Sequence, residues 1–136
     1  MDPNFSNAHF SLANIYYLKG MCKESVEELS RANLLDGWAD VAHALTQGLA
    51  RGGCRGAWQA NLAALQERAK REYIGPSYFW DAYVRLGDHD RAIEWLEKGF
   101  QQRVGAIGYI KAAPFFDPLR KDPRFQDLVR RLKLPE

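Results

Sequence analysis

A glycine-punctuated helical pattern, repeated three times at about 34 residues, constrains this 136-residue chain more than any other feature. Residues 6–37 carry its first copy. Phe10, Leu12, Ala13, Tyr16 and Tyr17 precede Gly20, and Ser25, Val26, Leu29 and Ala32 follow it. Apolar or small residues three and four apart give each half one buried helical stripe. Gly20 suits a helix end, because it enters the left-handed conformation without a Cβ clash. Two helices joined by so short a turn must lie antiparallel.

The second copy spans residues 38–71. Trp38, Ala42, Leu45 and Leu49 form a stripe that runs up to Arg51, Gly52-Gly53 interrupts it, and Trp58, Leu62, Leu65 and Ala69 mark a second helix. With Gly53 as the corner, Leu45, Leu49, Trp58, Leu62 and Leu65 turn inward; with Gly52 as the corner, Asn61 does. The first register buries more apolar surface and is preferred. It puts Trp58 where a small residue would fit better, so these two helices are expected to be splayed or shifted. The third copy, residues 76–103, is cleaner. Pro76 fits a first helical turn, Phe79, Trp80 and Tyr83 follow, and Gly87 makes the corner. Asp88 is placed to cap the next helix, whose inner face reads Ala92, Ile93, Leu96 and Phe100.

Leu12, Ala13, Tyr16, Gly20, Ser25, Leu29 and Ala32 stand at signature positions of the tetratricopeptide repeat, which the first copy resembles. His9 stands where that family usually has Trp or Leu, and Gly37 where it usually has Pro. The run LGDHDRAIEWLEKGF at 86–100 is the most family-like. The resemblance implies an all-α fold and a single domain over residues 1–136. That domain would be a right-handed α-solenoid of three helix-turn-helix units (6–37, 38–71, 76–103) with capping helices over 104–136. Asp2-Pro3-Asn4 looks like the end of a preceding repeat. The run FFDPLRKDPRFQDLVRRLKLP resembles the C-terminal end of larger bacterial tetratricopeptide proteins, where such arrays follow a regulator, cyclase-like or kinase domain.

The tail leaves the repeat. Ile107, Tyr109 and Ile110 predict a short helix over 105–112 that Pro114 ends. Asp117-Pro118 and Asp122-Pro123 each read as an N-cap with proline at the first helical position. The second opens a last helix with Phe125, Leu128, Val129 and Leu132 inside and Arg124, Arg130, Arg131 and Lys133 outside, the pattern of an end cap.

A net charge of +2 does not by itself point to nucleic acid. No apolar run approaches the ~18 residues of a membrane span, so no membrane partner is expected. No signal peptide is visible. Cys22 and Cys54 fall in successive units, and a helix-to-helix spacing of roughly 8–10 Å predicts free thiols. Together these lead to a cytoplasmic expectation. His9, His43 and His89 lack metal-ligand spacing, and no phosphate loop or nucleophile elbow occurs. No enzyme activity, metal or cofactor is therefore expected. His9 reads as a packed, satisfied residue and His89 as solvated.

A binding surface remains. In the family the first helices line a concave face, and helical spacing places Asn7, Phe10, Asn14 and Tyr17 on it in the first unit. Asp40, His43, Gln47 and Arg51 follow in the second, and Ser77, Tyr78, Asp81 and Arg85 in the third. Amides suit a peptide backbone, aromatics give rigid contact area, and arginine forks onto carboxylates. Asp81 argues against a clamp for a chain-end carboxylate. The expected partner is thus a protein or peptide of unspecified identity. The alternatives are self-association or packing on an effector domain, and, more remotely, nucleic-acid binding by the basic last helix.

Overall fold

The computed structural model describes residues 4–132, with the side chains of Asn4 and Phe5 left aside. Among the described residues the fold is all-helical and has no strand. It falls into two compact units, residues 1–71 and 72–136.

The first unit holds α1 (Asn4–Leu18), α2 (Cys22–Leu35) and α3 (Ala39–Ala69). α3 is not one long rod. Gly52 (φ −137°, ψ 16°) and Gly53 (φ 66°, ψ −153°) break it into two arms. Asp40 near its start reaches Arg68 near its end at 2.7 Å, so the arms run antiparallel. Both glycines leave helical geometry, and Gly53 takes the positive φ, but the burial that follows is the one expected with Gly52 as the corner. Asn61 is 4% exposed and Leu62 only half-buried, contrary to the preferred register. The second arm buries Ala57, Trp58, Asn61 and Leu65, a face that follows the Trp58 ring against Tyr17.

The second unit holds α4 (Pro76–Leu86), α5 (His89–Gln101), two 3-10 segments, η1 (Gly105–Lys111) and η2 (Pro114–Leu119), and α6 (Pro123–Leu132). Its core includes Phe79, Trp80, Tyr83, Val84, Ile93, Leu96, Ile110, Phe116, Leu119, Phe125 and Leu128. Pro76 opens α4 in its first turn, and the Asp88 carboxylate accepts from the Arg91 N–H at 3.2 Å. Both caps match the sequence reading.

Four helix ends share one hydrogen-bond pattern. The N–H of Gly20 donates to Tyr17 O and that of Met21 to Tyr16 O, and the same pair of bonds recurs after α2, α4 and α5. This is the Schellman closure, whose central residue must be left-handed. Gly20, Gly37 and Gly87 supply that conformation, and Arg103 (φ 56°) supplies it without being glycine.

Two expectations for the tail need correction. Asp117 does not cap a helix. Pro114 opens η2, and Pro118 lies inside it, because a short 3-10 turn tolerates a proline that the interior of an α-helix would not. Tyr109 is 74% exposed while Ile107 and Ile110 are buried, since a 3-10 period of three puts only 107 and 110 on one side. Asp122 behaves as expected. Its carboxylate accepts from the Arg124 N–H at 2.9 Å and opens α6.

The cysteine reading also fails. Cys22 and Cys54 form a disulfide, with Cα atoms 5.9 Å apart. Helix spacing is measured between axes. Residues on facing sides of neighbouring helices come closer than their axes, and each cysteine opens a helix on such a side. The thiol argument for a cytoplasmic location therefore falls away. No helix among the described residues is long and apolar enough to cross a membrane.

Candidate functional site

The two arms of α3 meet at glycine. A Cβ on Gly56 would stand 2.5 Å from the Gly48 carbonyl oxygen, and one on Gly48 would stand 2.8 Å from the Ala60 Cβ. Only hydrogen at these positions lets the backbones touch. At the far end of the hairpin Arg68 lies over the Trp38 ring, 4.9 Å from its centroid, while bonding Asp40. On the open side the arms leave a cleft of about 690 Å³ lined by Ala44, Gln47, Gly48, Arg51, Gly52, Gly56, Gln59, Ala60, Ala63 and Ala64.

Its walls are almost all Ala and Gly, so a ligand could approach the backbone closely. The polar heads are Gln47, Arg51 and Gln59. Among the described residues the side chains of these three make no hydrogen bond or ion pair. The arrangement offers amide donors and acceptors and one guanidinium above an apolar floor. Gln47 and Arg51 belong to the surface expected from the sequence. Gln59, from the second arm, does not. The expected surface drew only on first helices, and the close approach of the two arms at Gly48 and Gly56, which brings Gln59 into the same cleft lining as Arg51, is a tertiary fact.

The other expected residues are not part of this cleft's lining. Tyr17 lies edge-on to Trp58 at 6.1 Å and is half-buried, so its ring serves packing. Phe10 and Asn14 are half-buried on α1, and Asn7 is exposed. Asp40 is engaged by Arg68 and, at 3.8 Å, by Arg71. His43 is exposed on the first arm. Ser77, Tyr78, Asp81 and Arg85 are half-buried on α4 in the second unit. Burial pushes the Asp81 carboxyl up to about 6, against the pull of Arg85 and a hydrogen bond from Trp80. The Arg85 guanidinium sits 5.4 Å from the centre of the Phe115 ring.

His9 is half-buried, and its Nδ1 is bonded to the Glu28 carboxylate, which Arg31 also reaches at 2.8 Å. His89 is half-buried at the start of α5 rather than fully solvated. No group of three or more His, Cys, Asp or Glu among the described residues could hold a metal.

The basic tail is largely neutralised. Arg124 pairs with Asp90 at 2.7 Å and with Asp122 at 2.8 Å, and Arg131 bonds Glu97. Arg130 reaches Asp127 at 3.5 Å. Arg120 pairs with Asp117 at 2.7 Å and donates to the carbonyls of Lys111 at 2.9 Å and Ala113 at 2.7 Å. Lys133 lies outside the described residues. Arg124 and Arg131 thus tie α6 to α5, and Arg120 ties the two 3-10 segments together.

Comparison with family models, curated proteins and solved structures found no match to this chain.

Proposed function

We propose that this chain is a non-catalytic binding module, built from tetratricopeptide-type helix pairs, that takes a peptide segment of a protein partner in the α3 cleft. One observation carries the reading: Gln47, Arg51 and Gln59 line, with side chains unpartnered among the described residues, an open cleft of about 690 Å³ whose other walls are Ala and Gly. A peptide backbone can satisfy both amides, and an acidic side chain can take the guanidinium.

The repeat assignment is supported by the left-handed corner glycines Gly20, Gly53 and Gly87, spaced 33 and 34 residues apart. The Asp90–Arg124 and Glu97–Arg131 pairs give further support. Each spans 34 residues, so α6 runs parallel to α5 one period later. Helix pairs with this period are the kind that stack in α-solenoids.

Selection of peptides from a random library, followed by calorimetry, tests the cleft. Arg51→Glu and Ala60→Trp should each weaken a selected peptide about tenfold or more, as expected when a central contact is lost. Arg55→Glu, outside the lining, should not. Peptides that bind all four proteins equally would place recognition elsewhere.

A second reading rests on α1. Leu12, Ile15 and Leu18 of α1 are 39%, 47% and 47% exposed, and Met21 in the turn after it is 38% exposed, an apolar edge beside a helix whose first and last turns carry no acid or base. Leu12 holds a signature position yet faces solvent here. This edge suits self-association. Sedimentation that stays monomeric at high concentration would remove that reading, as would an Ile15→Lys variant that behaves like the wild type.

A further inference from the structure

We propose that Cys22–Cys54 is a reversible thiol–disulfide latch that sets the Gly52–Gly53 kink of α3. These are the only two cysteines in the sequence, so exchange within the chain has a single outcome. Each opens a helix that lacks a side-chain cap. Met21 precedes Cys22 and makes no capping bond, and Gly53, which has no side chain to offer, precedes Cys54. The free N–H groups of an uncapped helix start stabilise a thiolate, and a stabilised thiolate leaves readily in exchange. Lys19, Lys23, Arg51 and Arg55 are the nearest cations in sequence, and Glu24 the nearest acid. Cys54 is exposed and Cys22 half-buried, so an external thiol meets Cys54 first.

The bond has a mechanical consequence. It ties the first turn of α2 to the residue after the kink. Nothing lies within 4 Å of where a Cβ on Gly52 or Gly53 would be, so the kink has room to change. Beyond it the second arm is held by Trp58 against Tyr17 and by Arg68 on Asp40 and Trp38. Gly56 is packed on Gly48 and Ala57 is buried, so opening the disulfide frees only the kink and its first residues, 52–55, and leaves the arm docked from Gly56 onward. Gly52 also lines the cleft, so its mouth changes with redox state. The latch itself does not depend on the cleft being a binding site.

The chemistry is ordinary exchange. The thiolate of a low-molecular-weight thiol such as glutathione bonds to Cys54 Sγ, the Sγ–Sγ bond breaks, and Cys22 leaves as a thiolate. A second external thiolate attacks the mixed disulfide and releases Cys54. Two external thiols together give up two electrons and two protons and become one disulfide; the chain gains two thiols.

The test titrates the folded protein against glutathione buffers, counts free thiols by maleimide mass shift, and follows helicity and hydrogen exchange. The expected result is two labels appearing together while helicity is retained, with full reversal on reoxidation. Amides of residues 52–55 should exchange about tenfold faster or more in the reduced form, and those of α5 should be unchanged, as for a local opening. Cys22→Ser/Cys54→Ser should show the same fast amides under all buffers. Labels that appear only as helicity is lost would overturn the proposal. So would two labels at every glutathione ratio, or labelling without a change in exchange.

Discussion

Gly48 and Gly56 touch backbone to backbone across the α3 hairpin, so that a Cβ on Gly56 would fall 2.5 Å from the Gly48 carbonyl. In most helices Gly→Ala is stabilising, because alanine restricts the unfolded chain. Here the sign reverses. Gly48→Ala or Gly56→Ala should lower stability by about 1–3 kcal/mol, the usual cost of overpacking. Gly52→Ala, in open space and at negative φ, should stay within about 1 kcal/mol of the wild type. Urea midpoints for the three variants check the contrast.

Leu96 is fully buried, on the α5 face that also buries Ala92 and Ile93. Leu96→Ala should cost about 2–5 kcal/mol, because the cavity collapses only in part. Glu94→Ala, on the exposed side, should change stability by less than about 0.5 kcal/mol. Equal denaturation midpoints for Leu96→Ala and the wild type would show that α5 is turned the wrong way.

Asp81 makes the second unit pH-dependent. Its folded pKa of about 6 lies above the ordinary 3.8, so between those values the folded chain holds more protons than the unfolded one. Stability from this group is full below about pH 4, declines as pH rises toward 6, and is flat beyond. Asp81→Asn should remove that decline and raise stability at pH 7 by on the order of 1–3 kcal/mol. Chemical denaturation at pH 4, 5, 6 and 7 reads the slope directly. A wild-type curve that rises over this range would contradict the assignment.

Arg103 closes α5 in the left-handed region, at φ 56°, with the bonds that Gly37 makes after α2. A side chain there is strained where glycine is not. Arg103→Gly should therefore stabilise the protein by about 0.5–1 kcal/mol, the reverse of what removing a surface arginine for glycine usually does. Thermal melts of the two proteins decide it, and a lower midpoint for the variant would count against the strain.

Much of the helical plan was legible in the chain. Gly20, Gly53 and Gly87 are corners because a Schellman closure or a sharp kink needs positive φ, which glycine accepts without strain. Asp88 and Asp122 cap because a short carboxylate just ahead of a helix reaches its first N–H groups. The stripes through Ala92, Ile93 and Leu96 are buried because apolar spacing at three and four commits one side of a helix to the core. The same rule misplaced Asn61 and Tyr109, where the helix was turned or tightened by its surroundings.

What the residues alone determined was local: where helices start, where they turn, and which side of each is apolar. These follow from backbone sterics and from period, which act over a few residues. The packed chain decided what depends on distances between helices. It joined Cys22 to Cys54, let Gly48 meet Gly56, drew Asp40 to Arg68, and brought Gln59 and Arg51 into one cleft lined by Ala and Gly. Those relations depend on how far each helix is rotated and how closely two backbones approach. Packing of all their side chains together fixes both quantities, and no single window of sequence contains them.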